Sequence, residues 1–281
     1  MSIAPPGFLV KGPKLISKRP KYGLFSVVTP ERLSDPHAWA GGVEWEFDLC
    51  TSLEAFTDQC PPNHTNSVEK DLEFCRADPF IVKSSFQCSV GGKSVKDAVD
   101  IANRRLYFWE EHKVEEIFWS GQTANGSINP SLAFGNDTCD IEPEIIGSNL
   151  SPISAFAVLE EALTDIVPGG GIIHVPHGLA SYLADKKLIK EDNGVYFSPT
   201  GTPVVIGSGY SGTGPGNIVP DTGTTYIYAT GPMAIWRSDV IQNPEDVFDG
   251  IDRYINNVTV FVERFYAVGF SCALYTASVC L

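Results

Sequence analysis

The sequence predicts an α+β protein, and three stretches carry that prediction. A long amphipathic pattern covers residues 94–118, a strand–helix–strand module covers residues 169–212, and two alternating strands close the chain from residue 257. Apolar residues recur at helical spacing in the first stretch and alternate with polar residues in the last. Both periodicities are long enough to indicate stable elements, so helices and sheets are expected together.

The composition favours an ordered globular protein. The chain has 281 residues, of which 43% are hydrophobic and 19% charged. A chain of this length can bury a full core in one large or two small domains. No stretch approaches the roughly 20 consecutive apolar residues that span a bilayer, and the first residues lack the apolar centre of a signal peptide. We therefore expect a protein made and used on the cytoplasmic side.

The charge is unevenly distributed. The formal net charge is −14, whereas residues 1–30 carry five Lys or Arg and no acid, which leaves −19 for the remainder. Phosphate neutralisation needs clustered cations, so the acidic body is a poor general binder of nucleic acid. The short basic segment either contacts nucleic acid or an acidic neighbour, or is a solvated tail.

The first 93 residues contain few helical signals. Six prolines make residues 1–40 look extended, and the segment YGLFSVV at 22–28 could add a strand to whatever it meets. Alternation of Val43, Trp45 and Phe47 with acidic residues predicts a half-buried strand. Residues 78–90 are the candidate returning strand, with a loop at Pro61–Asn63 between them.

The helix at residues 94–118 has clear ends. Ser94 is a suitable N-cap, Asp97 three residues later resembles a capping box, and Gly121 ends the pattern. At about 1.5 Å per residue the helix would cross a whole domain.

Two faces are predicted for this helix. The mainly apolar face comprises Val95, Ala98, Val99, Ala102, Leu106, Trp109, Lys113 and Ile117, and the opposite polar face comprises Asp100, Arg104, Glu111 and Glu115. The adjacent pairs Glu110–Glu111 and Glu160–Glu161 are interpreted as solvated, because neighbours on a helix point in different directions.

The second half of the chain alternates helices and strands. A helix is predicted over 155–166, and the module follows with a strand at 172–175, a helix at about 178–189, a polar turn at 191–194 and the strand GTPVVIGS at 201–208. Lys186, Lys187 and Lys190 are placed in the last turn of that helix. Residues 212–223 form a glycine- and proline-rich loop, two short strands flank Gly231–Pro232, and the closing strands are hinged near Gly269.

These elements, in this order, resemble the major capsid proteins of tailed bacteriophages, which have the Hong Kong 97-type fold. The resemblance runs from about Ser94 to the end and rests on the long helix ending in Trp119–Ser120–Gly121, the HVP strand end at 174–176, the TPVV strand at 202–205 and the VER–AV pattern at 262–268. It implies an N-terminal arm at 1–40, an extended loop at 41–93, a peripheral domain with a spine helix at 94–153, an axial α/β domain at 154–256, and closing strands at 257–281 that return to the peripheral domain.

The resemblance also implies a function. It implies a structural virion protein that self-assembles into hexamers and pentamers of an icosahedral shell around double-stranded DNA. Portal and scaffolding or decoration proteins would be further partners, assembly would occur in the host cytoplasm, and the final location would be the virion. No membrane contact and no enzymatic activity are expected.

The glycine motif is the main candidate for a ligand site. Gly207, Gly209 and Gly212 spell G-x-G-x-x-G after a strand. Dinucleotide binding requires a helix to begin directly afterwards, and the following TGPG sequence at 213–216 cannot start one. No cofactor is therefore predicted.

The remaining candidates indicate no catalytic or metal site. His174 and His177 are separated by Pro176, which does not aim both rings at one metal, so they are interpreted as structural. Ser211 departs from the nucleophile-elbow pattern by one glycine. No catalytic, cofactor-binding or metal-binding residue is predicted.

The seven cysteines are left partly open. Cys50, Cys60, Cys75 and Cys88 cluster in one segment and either form disulfides, bind a metal or remain free, whereas Cys272 is interpreted as a small buried hydrophobe.

Two alternative functions remain at this stage. An encapsulin-type nanocompartment shell has the same fold but encloses a cargo enzyme. A soluble α/β enzyme or ligand-binding protein would use a pocket at residues 207–216 and form a monomer or small oligomer.

Overall fold

The computed structural model describes residues 21–47, 50, 73–89, 94–121, 129–243, 251–252, 254 and 257–281. The α-helices are α1 (Leu24–Val27), α2 (Pro36–Gly41), α3 (Val95–Ser120), α4 (Pro152–Ile166) and α5 (Ala180–Asp185). The β-strands are β1 (Glu31–Arg32), β2 (Val43–Phe47), β3 (Glu73–Ala77), β4 (Phe80–Ser89), β5 (Glu144–Leu150), β6 (Ile172–Pro176), β7 (Lys190–Asp192), β8 (Val195–Phe197), β9 (Pro203–Gly207), β10 (Thr224–Thr230), β11 (Met233–Arg237), β12 (Ile241–Asn243), β13 (Ile251–Asp252), β14 (Asn257–Phe270) and β15 (Leu274–Cys280).

Helix α3 has the ends that the sequence predicts. The Ser94 hydroxyl accepts a hydrogen bond from the Asp97 amide at 3.1 Å, and the Asp97 carboxylate accepts one from the Ser94 amide, which completes the capping box. Gly121 has φ of +66° and donates its amide to the Ile117 carbonyl at 2.8 Å. A left-handed residue at this position favours glycine, so the helix stops there.

A six-stranded sheet carries α3. The 14-residue strand β14 is its centre, with β4 along one edge and β11, β12 and β13 along the other, and β1 extends the sheet beyond β11. Ala98, Ala102 and Leu106 of α3 are buried in a core that includes Val260 and Val262 of β14. The long helix is therefore held by packing along the length of β4 and β14.

A seven-stranded sheet forms the second layer, in the order β5-β15-β10-β6-β9-β8-β7. Strands β6 and β9 are parallel, and β10 and β15 are antiparallel to each other. Helix α4 packs on this sheet and buries Phe156, Leu159 and Leu163 against a core that includes Ile173 and Val204. The predicted strand–helix–strand module lies at the centre of this sheet.

The N-terminal part differs from the sequence-based expectation. The segment expected to add a strand forms the helical turn α1, and α2 follows close behind it, so the described part of residues 1–40 is not simply extended. Residues 80–89 do not return along β2, because β2 pairs with β3 and β4 pairs with β14. These partners are distant in sequence, so local patterns do not reveal them.

Two further differences concern the second half. Helix α5 ends at Asp185, and Lys187 has φ of +57°, so the three lysines follow the helix and do not occupy its last turn. The closing strands separate, because β14 lies under α3 whereas β15 lies between β10 and β5 in the other sheet. Of these two strands, β14 is the one that packs along the long helix.

Several predictions fall outside the described residues. They are the loop at 61–63, Cys60 and the basic residues between 11 and 19. Within the described part, no helix has both the length and the apolar character needed to cross a bilayer.

Candidate functional site

Three glutamates of α3, Glu110, Glu111 and Glu115, form a hydrogen-bonded cluster that is here called the joint. All three side chains are buried, so the prediction that Glu110 and Glu111 are solvated is wrong, and Glu115, which the sequence assigns to the polar face, is buried as well. The reason is the i, i+4 row that begins at Ala98 and Ala102, because continuing that row leads through Glu110 into the interior. Sequence reasoning could have found Glu110 from this row, whereas Trp109, placed on the apolar face, is 51% exposed.

Glu115 joins three segments of the chain. Its Oε1 accepts a hydrogen bond from the Leu24 amide at 2.9 Å, and its Oε2 accepts from the Gly209 amide at 2.9 Å and the Ser208 hydroxyl at 3.1 Å. Burial raises the pKa of Glu115 to about 7, against the opposing effect of the two backbone donors, and the nearby Glu111 carboxylate adds to the rise.

Glu111 completes the attachment of α1. Its Oε1 accepts the Phe25 amide at 2.9 Å, next to the Leu24 amide that Glu115 binds. The N-cap residue of α1 is Gly23, which has no side chain to satisfy these donors. The two glutamates therefore serve as caps from another helix. A Cβ on Gly23 would come to 2.5 Å from Glu111 Oε1 and 2.7 Å from Glu115 Oε1, so a larger residue there would displace the two capping carboxylates.

Glu110 links the helix to the sheet. Its Oε2 accepts hydrogen bonds from Arg264 Nη1 at 2.6 Å and from the Tyr266 hydroxyl at 2.8 Å, both on β14. Burial, together with the adjacent carboxylate, raises the pKa of Tyr266 above its usual value, so its hydroxyl remains a donor at neutral pH. The joint thus connects the segment at 23–25, the helix, the loop at 208–209 and β14.

One part of the joint superficially resembles a nucleophilic site. Ser208 Oγ lies 3.1 Å from His112 Nδ1 and 3.1 Å from Glu115 Oε2. In a hydrolytic triad the histidine lies between the serine and the carboxylate, so that the carboxylate orients the base. Here Ser208 lies between His112 and Glu115 and donates its hydroxyl hydrogen bond to Glu115. The carboxylate on the far side of the imidazole, Glu116, lies 4.0 Å from His112 Nε2, which is too long for the hydrogen bond that would orient the ring. The arrangement supports structural bonding and does not assemble an activated serine.

The glycine motif packs against other parts of the protein. A Cβ on Gly207 would meet the Tyr210 ring at 2.4 Å, and one on Gly209 would meet the His112 carbonyl oxygen at 2.2 Å. The chain then enters a short 3₁₀ turn at Pro215–Asn217 instead of an α-helix. The glycines permit close approach of the loop to α3 and Tyr210, which explains their spacing without a phosphate ligand.

His174 is a core residue. Its Nδ1 lies 3.0 Å from the Tyr210 hydroxyl and its Nε2 2.9 Å from Thr230 Oγ1, and burial lowers its pKa to about 3. The ring is therefore neutral and bonded on both sides, as the structural interpretation expects for this residue. His177 is exposed and does not pair with it. Across the described ranges, no group of three His, Cys, Asp or Glu side chains could hold a metal ion.

The cysteines form a second structural feature. Cys50 is bonded to Cys272, and Cys75 is bonded to Cys139. The interpretation of Cys272 as a simple buried hydrophobe is therefore wrong. Cys88 is free and so does not bond to the others of its segment. The pairs join residues 222 and 64 positions apart, a separation that no local spacing could indicate.

Comparison with known proteins identifies the fold. No protein-family profile matches the sequence, and no curated protein matches it. Among solved structures, a capsid chain of an empty GTA particle covers 97% of this chain and 100% of its own, with 13% identity and a TM-score of 0.53. A chain of Gordonia phage Cozz covers 96% and 91%, with 12% identity and a TM-score of 0.55. The capsid of Helicobacter pylori bacteriophage KHP30 covers 98% and 95%, with 12% identity and a TM-score of 0.55. The chain therefore has the fold of phage capsid proteins, as its resemblance implied.

Proposed function

We propose that this chain is the major capsid subunit of a tailed bacteriophage. Identical copies assemble into hexamers and pentamers, and these close an icosahedral shell around double-stranded DNA. The main support is the structural match to phage capsid chains, which covers nearly the whole of this chain and of each matched chain. A match of that extent takes in the long helix and both sheets and is not limited to one common module. Fold alone does not establish a function, so the site geometry must agree with it.

The internal geometry is consistent with a structural role. Several polar groups of types that catalyse reactions in enzymes form hydrogen bonds between segments of the same chain. They include Glu115, Ser208 and His174. The glycine loop that an enzyme or ligand-binding protein would use is occupied by Tyr210 and by the backbone of α3. These contacts favour a subunit whose buried polar groups fix its shape.

The proposed domain roles follow the resemblance. Residues 1–40 form an arm, 41–93 the extended loop, 94–153 a peripheral domain, 154–256 an axial domain, and 257–281 the closing strands. The described hairpin of β2 and β3 is the base of the extended loop. The further partners are a portal protein and scaffolding or decoration proteins. The particle assembles in the host cytoplasm, and the subunit's final location is the virion.

The test is the assembly state of the purified full chain, measured by negative-stain electron microscopy and multi-angle light scattering. Closed shells, or rings of five and six subunits, are the expected result. Nuclease-resistant double-stranded DNA inside native shells selects the phage capsid, whereas a co-purified cargo protein selects the encapsulin-type alternative. A folded monomer that never assembles at any concentration contradicts the shell-forming function.

A further inference from the structure

Each leg of the β2–β3 hairpin is bonded covalently to a different part of its own subunit. Cys50, just beyond β2, is joined to Cys272 in the turn between β14 and β15, with a Cα–Cα distance of 5.1 Å. Cys75, within β3, is joined to Cys139 in the 3₁₀ turn at 137–139, with a Cα–Cα distance of 5.2 Å. Both distances lie in the usual range for disulfides.

Non-covalent contacts hold the first leg in place beside its disulfide. Trp45 Nε1 donates to Ser271 Oγ at 3.0 Å, and the ring lies 5.3 Å from the Trp236 ring. A Cβ on Gly269 would come to 2.5 Å from the Trp45 ring, so β14 presents glycine where the indole packs. The indole therefore brings residue 50 towards the turn that contains Cys272.

The second leg has an equivalent set of contacts. The Arg76 amide donates to Thr138 Oγ1 at 2.8 Å, and Thr138 Oγ1 donates to the Arg76 carbonyl at 3.1 Å. Arg76 directly follows Cys75 and Thr138 directly precedes Cys139, so these two hydrogen bonds lie next to the disulfide. In each leg, the neighbouring residues thus align the two sulfurs by interactions that do not require the disulfide.

The apolar cluster under the hairpin is only partly shielded from solvent. Among the described residues its buried members are Val43, Ala77 and Ala267, and Leu33, Trp39, Trp45 and Trp236 pack against them while remaining partly exposed. An isolated two-stranded hairpin is marginally stable in water. Disulfides that close loops of 222 and 64 residues restrict the unfolded chain strongly. The disulfides therefore add a constraint on the direction of the hairpin to the contacts of this small cluster.

We propose that the Cys50–Cys272 and Cys75–Cys139 pairs are redox-dependent staples, which close after the subunit has folded and fix the direction in which the hairpin projects. The projection towards a neighbouring subunit rests on the proposed capsid function. Cytosolic thiols are kept reduced, so the staples are open during synthesis and close after exposure to an oxidising medium.

The closing reaction is thiol–disulfide exchange with a low-molecular-weight disulfide. One thiolate attacks a sulfur of the small disulfide and releases one small thiol, forming a mixed disulfide. The partner cysteine then attacks the protein sulfur of that mixed disulfide and releases the second small thiol. Each staple thus loses two electrons and two protons, and one small-molecule disulfide is reduced to two thiols.

The experiment compares oxidised and reduced full-length protein. Free thiols are alkylated in purified native particles, and peptides are mapped by mass spectrometry without reduction. We expect linked 50–272 and 75–139 peptides. Reduction should lower the melting temperature by roughly 5–10 °C and increase protease cleavage within 41–93 several-fold. Oxidised glutathione, added to reduced protein, should restore both properties.

Variants assign the effect to each staple. Two double variants each remove one staple, and each should abolish part of the change in melting temperature and protease cleavage that reduction causes. They are Cys50→Ser with Cys272→Ser, and Cys75→Ser with Cys139→Ser. Cys280→Ser removes an exposed free thiol and is the matched control, which should respond as the native chain does.

Two results overturn the proposal, and neither depends on the proposed function. Complete alkylation of all four cysteines in oxidised native protein overturns it, as does a hairpin whose cleavage is unaffected by reductant. Closed shells with four free thiols would leave the capsid function intact and reject the staples. Linked peptides in a chain that never assembles would support the staples and reject the capsid. If the serine variants do not fold, reduction of the native chain still decides the question.

Discussion

Glu115 occupies an interior position in which a carboxylate is costly, yet the fold provides it with three donors. The donors come from Leu24, Ser208 and Gly209, whereas the groups that oppose its ionisation are Glu111 and the surrounding apolar core. Tyr210, close by, has its own pKa raised by burial and by Glu115 and Glu111, so it contributes no charge near neutrality. The net result is a carboxyl group that exchanges its proton near pH 7.

This titration predicts a specific pH dependence of stability. The pKa of Glu115 is about 7 in the folded chain against 4.5 for the ordinary group, so the folded state retains a proton that the unfolded state releases. The stabilisation is complete below about pH 4.5 and is lost as the pH rises through 7, a decrease of about 3 kcal/mol in the free energy of unfolding. Glu115→Gln should remove this slope, measured by urea denaturation across that range.

The control for this change is Glu116→Gln. Glu116 is an exposed carboxylate on the same helix, paired with Lys113, so its replacement removes the same charge without entering the joint. Parallel pH profiles for Glu115→Gln and the native chain would contradict the assignment. In that case Glu115 would keep one protonation state across this pH range, and only its hydrogen-bond donors would hold it in the joint.

At the scale of elements, α3 is attached to β14 by the ion pair between Glu110, which is buried, and Arg264, which is partly buried. Removing one partner from a buried ion pair leaves an uncompensated charge and typically costs about 3–5 kcal/mol. Arg264→Met should therefore destabilise the protein by about that amount in urea denaturation. Combining it with Glu110→Gln should recover most of the loss, because no buried charge then remains.

The exposed Arg104 provides the comparison for that pair. Arg104→Met removes an arginine from the outer face of α3, where its Nε donates to the Asp100 carbonyl, and should change stability by less than about 0.5 kcal/mol. Additive losses in the Glu110 and Arg264 double variant would show that the two side chains do not stabilise each other.

The same two elements show how far sequence reasoning reaches. The ends of α3 were predictable because each is set by local residues. Ser94 and Asp97 bond to each other in the first turn, and Gly121 bonds to Ile117 in the last turn. Likewise β6 and β9 follow from local apolar runs, and β14 follows from its alternation of apolar and polar residues. The partners of β2 and β4, the separation of β14 from β15, and the pairing of Cys50 with Cys272 depend on contacts between distant segments. Burial of Glu111 and Glu115 escaped prediction because most of their donors are backbone amides of distant segments, which no sequence pattern marks.

At the scale of the whole molecule, the loop at 208–223 is fixed at its base and apolar at its tip. Asn217 Nδ2 donates to the Ser120 carbonyl at 2.8 Å, and Trp119 Nε1 donates to Thr213 Oγ1 at 3.0 Å, so the loop is attached to the end of α3. Ile218 and Val219 are nevertheless 61% and 79% exposed. Adjacent exposed apolar side chains on an anchored loop suit a contact with another copy, which under the proposed capsid function would be a neighbouring subunit of the same ring.

The double variant Ile218→Asp with Val219→Asp tests that contact. In a ring, each copy would bring two new carboxylates close to those of its neighbours, and the repulsion together with the lost apolar burial should prevent hexamers and pentamers. The subunit itself should remain folded, because both side chains lie outside its cores. Light scattering and electron microscopy measure the loss of rings, and circular dichroism measures the fold. The matched variant Ile218→Val with Val219→Ile keeps the apolar surface and should assemble as the native chain does. Rings of normal size from the aspartate variant would show that the copies meet through another part of the subunit.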